Sequence, residues 1–216
     1  MKNLSQFEFN PRICRGQIAE LQRLLQSRPF LSERDEILPF FRKRQHLSAF
    51  VSSLQPRIIR YDRIAFEFDI FGDFKSDLVV GDSVTQSYCF VEFEEAAPTS
   101  LFVSKSDRST PEWSPRFERG FSQIVDWFCK LDELEKTDSF EDRFGSRSID
   151  YMGLLVIGRS ETLEPRERRR LRWRRENTVI NSKHIYCMTF DELCDDLQVG
   201  IEQYQFVSPR EDSGNN

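Results

Sequence analysis

Three carboxylates in this chain have the residue types and spacing to do chemistry. Glu92 and Glu94 stand two apart in Cys89-Phe90-Val91-Glu92-Phe93-Glu94, and Asp77 lies upstream in Asp77-Leu78-Val79-Val80. Strand alternation puts Glu92 and Glu94 on one face, with Val91 and Phe93 on the other. Two adjacent carboxylates repel. Flanked by Phe90, Val91 and Phe93, they call for a bound cation or for pKa values raised by burial. A divalent ion would resolve the conflict. Ligation by oxygen alone favours Mg2+ or Mn2+ over zinc, and such an ion can activate water and stabilise charge developing on a phosphoryl group. Alone, Asp…Glu-x-Glu is a weak pattern that a solvated strand face explains better.

The elements that must position these residues can be read from periodicity. Ile64-Ala65-Phe66-Glu67-Phe68-Asp69-Ile70 alternates with period two, which assigns Ile64, Phe66, Phe68 and Ile70 to one strand face and Glu67 and Asp69 to the other. Gly72-Asp73 signals a turn, so a hairpin brings the Asp77 strand beside the Glu92 strand. One of Glu67 and Asp69 could then join the site, or both could line a solvated face. Before this group, Ile18, Leu21, Leu24 and Leu25, and then Leu38, Phe41, Leu47, Phe50, Val51 and Leu54, recur at helical spacing, broken by Pro29 and Ser32 and closed by Pro56.

After it, Lys105 to Ser114 reads as a polar loop. Phe117, Phe121, Ile124, Val125, Phe128 and Leu131 form a helical stripe from Pro115 to about Lys136, and Thr137 to Arg147 reads as a connection. Met152 to Gly158 is a continuous apolar run of the kind found in buried parallel strands. Glu164 to Glu176 is a basic helix, His184 to Met188 a strand, and Thr189 a candidate cap for the last helix. The expected fold is α/β with a mixed sheet. It comprises an N-terminal helical segment (1–56), a catalytic domain (57–200) and a disordered tail (209–216).

A length of 216 residues supports one substantial core, and 20 Phe supply ample packing material. No apolar stretch reaches the roughly 18 residues that span a bilayer, and the N-terminus lacks the apolar region of a secretory signal. A cytoplasmic protein without a membrane partner is expected. The five cysteines are widely spaced with no CxxC pair, and read as reduced thiols, mostly buried. A net charge of −5 argues against non-specific coating of nucleic acid, but positive charge concentrates at Arg159 and in Arg166 to Arg175.

The strand pair Asp77-Leu78-Val79-Val80 and Val91-Glu92-Phe93-Glu94, followed by Gln123 on the next helix, resembles the PD-(D/E)XK nucleases. Behind it come Gly153-Leu154-Leu155-Val156-Ile157-Gly158-Arg159, then Arg170, Leu171 and Asn177, then Ile185-Tyr186-Cys187-Met188-Thr189-Phe190-Asp191-Glu192-Leu193. This order is similar to the C-terminal half of the nuclease domain of the Shedu family of bacterial anti-phage nucleases, over roughly residues 15 to 198. The resemblance implies a restriction-endonuclease-like core, a homo-oligomer, and Mg2+- or Mn2+-dependent cleavage of DNA. It makes Asp77, Glu92 and Glu94 the metal-binding and catalytic carboxylates, with Gln123 beside them. One departure stands out: Glu94 occupies the position where the superfamily usually has Lys. Some restriction enzymes also carry Glu there, and Lys75 and Lys105 are the nearest lysines that could substitute.

Guanidinium groups pair well with phosphate, so Arg159, Arg170 and Arg174 are candidates to contact the DNA backbone. A solvated face or subunit interface is the alternative for the basic helix, and Trp173 within it is expected to pack. His46 and His184 lack partners at zinc-ligand spacing. The competing functional reading is a nuclease-like fold retained as a nucleic-acid-binding or protein-interaction module, with Glu94 marking lost catalysis.

Overall fold

The computed structural model describes residues 4–104 and 110–207. Lys105 and the tail after Pro209 lie outside the described residues. The chain forms a seven-stranded mixed sheet between two helical layers. A short strand β1 (Ser5–Gln6) precedes helix α1 (Pro11–Ser27), whose first turn is capped by the Asn10 side chain. A single π-helical turn (Glu33–Ile37) leads into the short helices α2 (Leu38–Arg42) and α3 (Gln45–Phe50). Then follow β2 (Arg63–Ile70), β3 (Phe74–Asp82) and β4 (Ser87–Phe93) as an antiparallel meander.

A small hairpin, β5 (Phe102–Val103) and β6 (Glu112–Trp113), precedes helix α4 (Pro115–Leu134). Helix α5 (Asp138–Phe144) comes next, then β7 (Asp150–Val156), α6 (Pro165–Asn177), β8 (Val179–Ile180), β9 (Lys183–Met188) and α7 (Phe190–Val207). The strand order is β1-β2-β3-β4-β7-β9-β8, with β4, β7 and β9 mutually parallel. The apolar run around Gly153 is therefore the buried parallel strand its composition predicts.

Two cores sandwich the sheet. On one side α1, α2, α3 and α7 bury Ile18, Leu21, Phe41, Phe50 and Leu197 against Leu78, Val80, Val91 and Phe93. On the other, α4, α5 and α6 cover Val79, Tyr88, Phe90 and Leu155 with Phe117, Ile124, Trp127, Phe140 and Leu171. Pro56 thus marks a change of periodicity, while the helices before it share a core with the sheet and pack on α7.

Three local expectations are corrected. The connection expected between Thr137 and Arg147 contains α5. Thr137 caps its start by accepting from the Phe140 N–H, Gly145 ends it at φ +74°, and Phe140 and Phe144 on one face fill the core. The loop expected before Ser114 contains β6. The single apolar face expected on β2 is split: Ile64 and Phe66 face the α1 side, whereas Phe68 and Ile70 face the α4 side. The break is at Glu67, whose backbone is left-handed (φ +50°), directly across the ladder from Asp77. Non-glycine residues adopt that conformation at a cost, and its occurrence beside the carboxylates places strained backbone at the candidate site.

Candidate active site

The β3–β4 register pairs Leu78 with Val91, so one step further brings Asp77 opposite Glu92. There the ladder gives way to a side-chain bond: Asp77 Oδ2 accepts the Phe93 backbone N–H at 2.8 Å. Glu94 follows the last residue of β4, and its N–H donates to the Val156 carbonyl at 2.9 Å, extending the alternation. Asp77, Glu92 and Glu94 therefore converge on the α4 side of the sheet. The helix can approach because its residue 120 is glycine. A Cβ there would stand 2.9 Å from Leu155 Cδ1 and 3.3 Å from Glu94 Oε1.

Burial dominates the electrostatics. Glu92 is 8% exposed, and burial, with Asp77, Glu94 and Glu33 nearby, pushes its carboxyl up to about 10. Gln123 on α4 donates a hydrogen bond to it and partly opposes the shift. Its Oε2 is buried without a partner among the described residues. Asp77 is raised to about 7, by burial first and then by Glu33 and Glu94, against the Phe93 N–H and Arg42. Glu94, also raised to about 7 by burial, is held down by Arg116, whose Nη1 lies 2.6 Å from its Oε2.

Two further residues of this cluster, Glu33 and Arg116, were not among the sequence candidates. Glu33 arrives on the π-helical turn and shares the Arg116 guanidinium at 3.2 Å; Arg116, in the first turn of α4, also meets Glu95 at 3.2 Å. The segment bearing Glu33 is fastened to the end of β4 by reciprocal backbone bonds between Leu31 and Ala96, each 3.0 Å.

The other candidates are placed elsewhere. Asp69 is paired with Arg143, and Glu67 with Arg42 at 2.9 Å on the rim beside Asp77. Lys75 is exposed, with Asp69 as its ladder partner. Arg159, expected at phosphate, is 3% exposed, chelated by Asp191 and bonded to the Arg28 carbonyl. Arg170 and Arg174 lie over the rings of Phe102, Trp113, Phe117 and Phe121, and Arg174 forks onto Glu118 at 2.8 and 3.1 Å. Arg170 and Arg174 anchor α6, and Arg159 ties the loop before it to α7 and to the end of α1. The groups that α6 presents to solvent include Arg166, Arg169, Arg172 and Trp173, beside Arg168, Glu176 and Asn177; Trp173 is 67% exposed where packing was expected.

Among the described residues no three or more His, Cys, Asp or Glu side chains stand together as a ready-made metal cage. Mg2+ is commonly held by one or two carboxylates, waters and substrate phosphate, so it does not require one. The orphaned Glu92 oxygen, the hard donor set and the raised carboxyls of Asp77 and Glu94 fit that kind of ion. No helix among the described residues is long and apolar enough to cross a membrane.

No curated protein matches the chain significantly. The family model described as "Shedu protein SduA, C-terminal" does match, over residues 31–194, a span that begins just before Glu33 and includes every carboxylate of the cluster. That span is well over half of the chain, and the protein belongs to the Shedu SduA C-terminal family.

Proposed function

We propose that the protein is a metal-dependent endonuclease of PD-(D/E)XK type that hydrolyses DNA phosphodiester bonds in bacterial defence against phage. The observation that carries this reading is the Glu92 carboxylate, buried with one oxygen unpartnered and facing Asp77 and Glu94. A purely structural carboxylate at that depth would spend both oxygens on donors. One that does not, among like charges, suits a divalent cation.

Asp77 and Glu92 would hold Mg2+ or Mn2+, with Glu94 at its edge. When bound, such an ion activates water and neutralises charge on the phosphate. The chain supplies the rest. The Phe93 N–H fixes Asp77, and Gln123 orients Glu92. Glu94, with its carboxyl near 7, can take a proton from an attacking water at neutral pH. DNA is the partner that the exposed Arg166, Arg169, Arg172 and Trp173 suit, since guanidinium groups meet phosphate and the indole offers a stacking face. A homo-oligomer in the cytoplasm completes the reading on family grounds.

The test is cleavage of linear, nicked and supercoiled DNA with Mg2+, Mn2+ or EDTA, beside Glu92→Ala and Glu94→Lys. Metal-dependent cutting lost in Glu92→Ala supports the nuclease; inert wild type with activity gained in Glu94→Lys rejects it. The latter result favours a second reading, a nuclease-like fold kept as a nucleic-acid-binding module. That reading draws on one observation: Glu94, at the usual lysine position, is already neutralised by Arg116.

A further inference from the structure

Arg116 is the cation in direct contact with this carboxylate cluster, and its surroundings are unbalanced. One guanidinium serves Glu33, Glu94 and Glu95, while Asp77 and Glu92 lie within the same field. Its partners sit deeper than it does: the Arg116 side chain is 38% exposed, against 5% for Glu94. The bonds it makes use Nη1 and Nε; Nη2 makes none to a described residue. A guanidinium is a planar fork whose outer edge matches two phosphate oxygens. Arg116 therefore keeps one nitrogen of that fork, Nη2, unspent while its side chain stays partly exposed. It does so from the first turn of α4, a 20-residue helix whose N-terminal N–H groups add positive potential at the same place.

We propose that Arg116 is the phosphate-binding residue of this site, held ready in the free protein by Glu33 and Glu95 and paired with a DNA backbone phosphate when substrate enters. This rests on the nuclease reading. It assigns to α4 the positive charge that β4 lacks, because the strand offers Glu94 where a cation would otherwise stand. Glu33 and Glu95 act as positioning residues, fixing the guanidinium plane.

The experiment measures binding and cleavage separately on Arg116→Ala, Arg116→Lys and the double variant Arg116→Ala/Glu94→Gln. The double variant removes the carboxylate that loss of Arg116 would leave buried and uncompensated. Affinity for a short DNA duplex is titrated against salt in EDTA, Mn2+ binding is followed calorimetrically without DNA, and cleavage is assayed with Mn2+. Losing one phosphate contact should lower the slope of log affinity against log salt by about 0.9. Cleavage should fall by about 100-fold or more, as for loss of one preorganised donor. Arg116→Lys should restore the slope but only part of the rate, since the fork is gone, and Mn2+ affinity should not fall in either single variant. A wild-type slope in Arg116→Ala and in the double variant overturns the proposal, as does wild-type protein that binds no duplex. Duplex binding that depends on Arg116, with no cleavage by wild type in any metal, upholds the clamp and instead removes the nuclease reading.

Discussion

The carboxylate of Asp77 accepts the backbone N–H of Phe93, tying the start of the β3–β4 ladder to the residue that separates Glu92 from Glu94. Asp77 is therefore a strand lock as well as a proposed metal-binding carboxylate, and its substitutions should separate the two roles. Asp77→Asn preserves an acceptor for Phe93 and should keep the fold, with a melting temperature no lower than that of wild type, while cleavage falls at least about 100-fold. Asp77→Ala should lose the same activity and in addition about 1–2 kcal/mol of stability from the unpaired amide. Circular dichroism melts beside a plasmid-nicking assay test this, and full activity in Asp77→Asn removes Asp77 from the site.

The raised carboxyls make a pH prediction for the metal-free protein. A carboxyl whose folded pKa lies above its unfolded value keeps a proton on folding that the unfolded chain has released. That contribution is fully present below the unfolded value of about 4 and is lost as pH rises toward the folded value. For Glu92 that decline runs up to about 10, and for Asp77 and Glu94 to about 7. Glu92→Gln should therefore stabilise the metal-free protein at pH 8 by at least about 1 kcal/mol, the worth of one pKa unit, and by little at pH 5. Mg2+ should reverse the ranking by stabilising wild type alone. Denaturant melts at the two pH values decide it.

Away from the site, Asp82 offers the opposite sign. Although burial raises its carboxyl, four backbone N–H groups more than offset this: Ile59 and Arg60 donate to Oδ2, Val84 and Thr85 to Oδ1, at 2.8–3.1 Å. Held below the usual carboxylate range, it contributes stability above the unfolded value of about 3.9 and loses it as pH falls through the lower folded one. Asp82→Ala should cost about 2–4 kcal/mol at neutral pH and leave Mn2+ affinity unchanged. An unaltered melting temperature would contradict the assignment.

The two faces of α6 should respond differently. Reversing charge at Arg166, Arg169 and Arg172 should weaken duplex binding and flatten its salt dependence by up to about 0.9 per lost contact, with the melt unmoved. Arg174→Ala, which breaks the fork onto Glu118 and uncovers Phe121, should lower the melting temperature. Equal salt slopes before and after the triple reversal would exclude that face from DNA contact.

Much of this site was legible because its parts are local. The alternation through Glu92 and Glu94, the hairpin to Asp77 and the stripe carrying Gln123 each follow from period, and the reciprocal Thr189–Glu192 cap opens α7 as its residues imply. What escaped is non-local or set by packing. Nothing in Ser32-Glu33-Arg34-Asp35 tells Glu33 from its acidic neighbours; its role appears only when Leu31 bridges to Ala96. Arg116 did leave a trace, since a cation in the first helical turn opposes the helix dipole and invites an anionic partner. Arg159 and Trp173 exchanged places relative to expectation: Asp191, in the first turn of α7, draws the arginine inward, and the inner face of α6 is already filled by Leu171, Arg170 and Arg174. The split face of β2 was hidden because strict alternation gives no sign of a residue at φ +50°.

The bond between Arg116 and Glu33 joins residues 83 apart in sequence. A chain emerging from the ribosome completes the β3–β4 pair, with its crowded acids, before α4 exists to bring the guanidinium. Contacts of such long sequence separation close late because loop entropy opposes them. The finished site is therefore a product of the whole fold and not of any fragment. A truncated or half-made copy carries the acids without their cation.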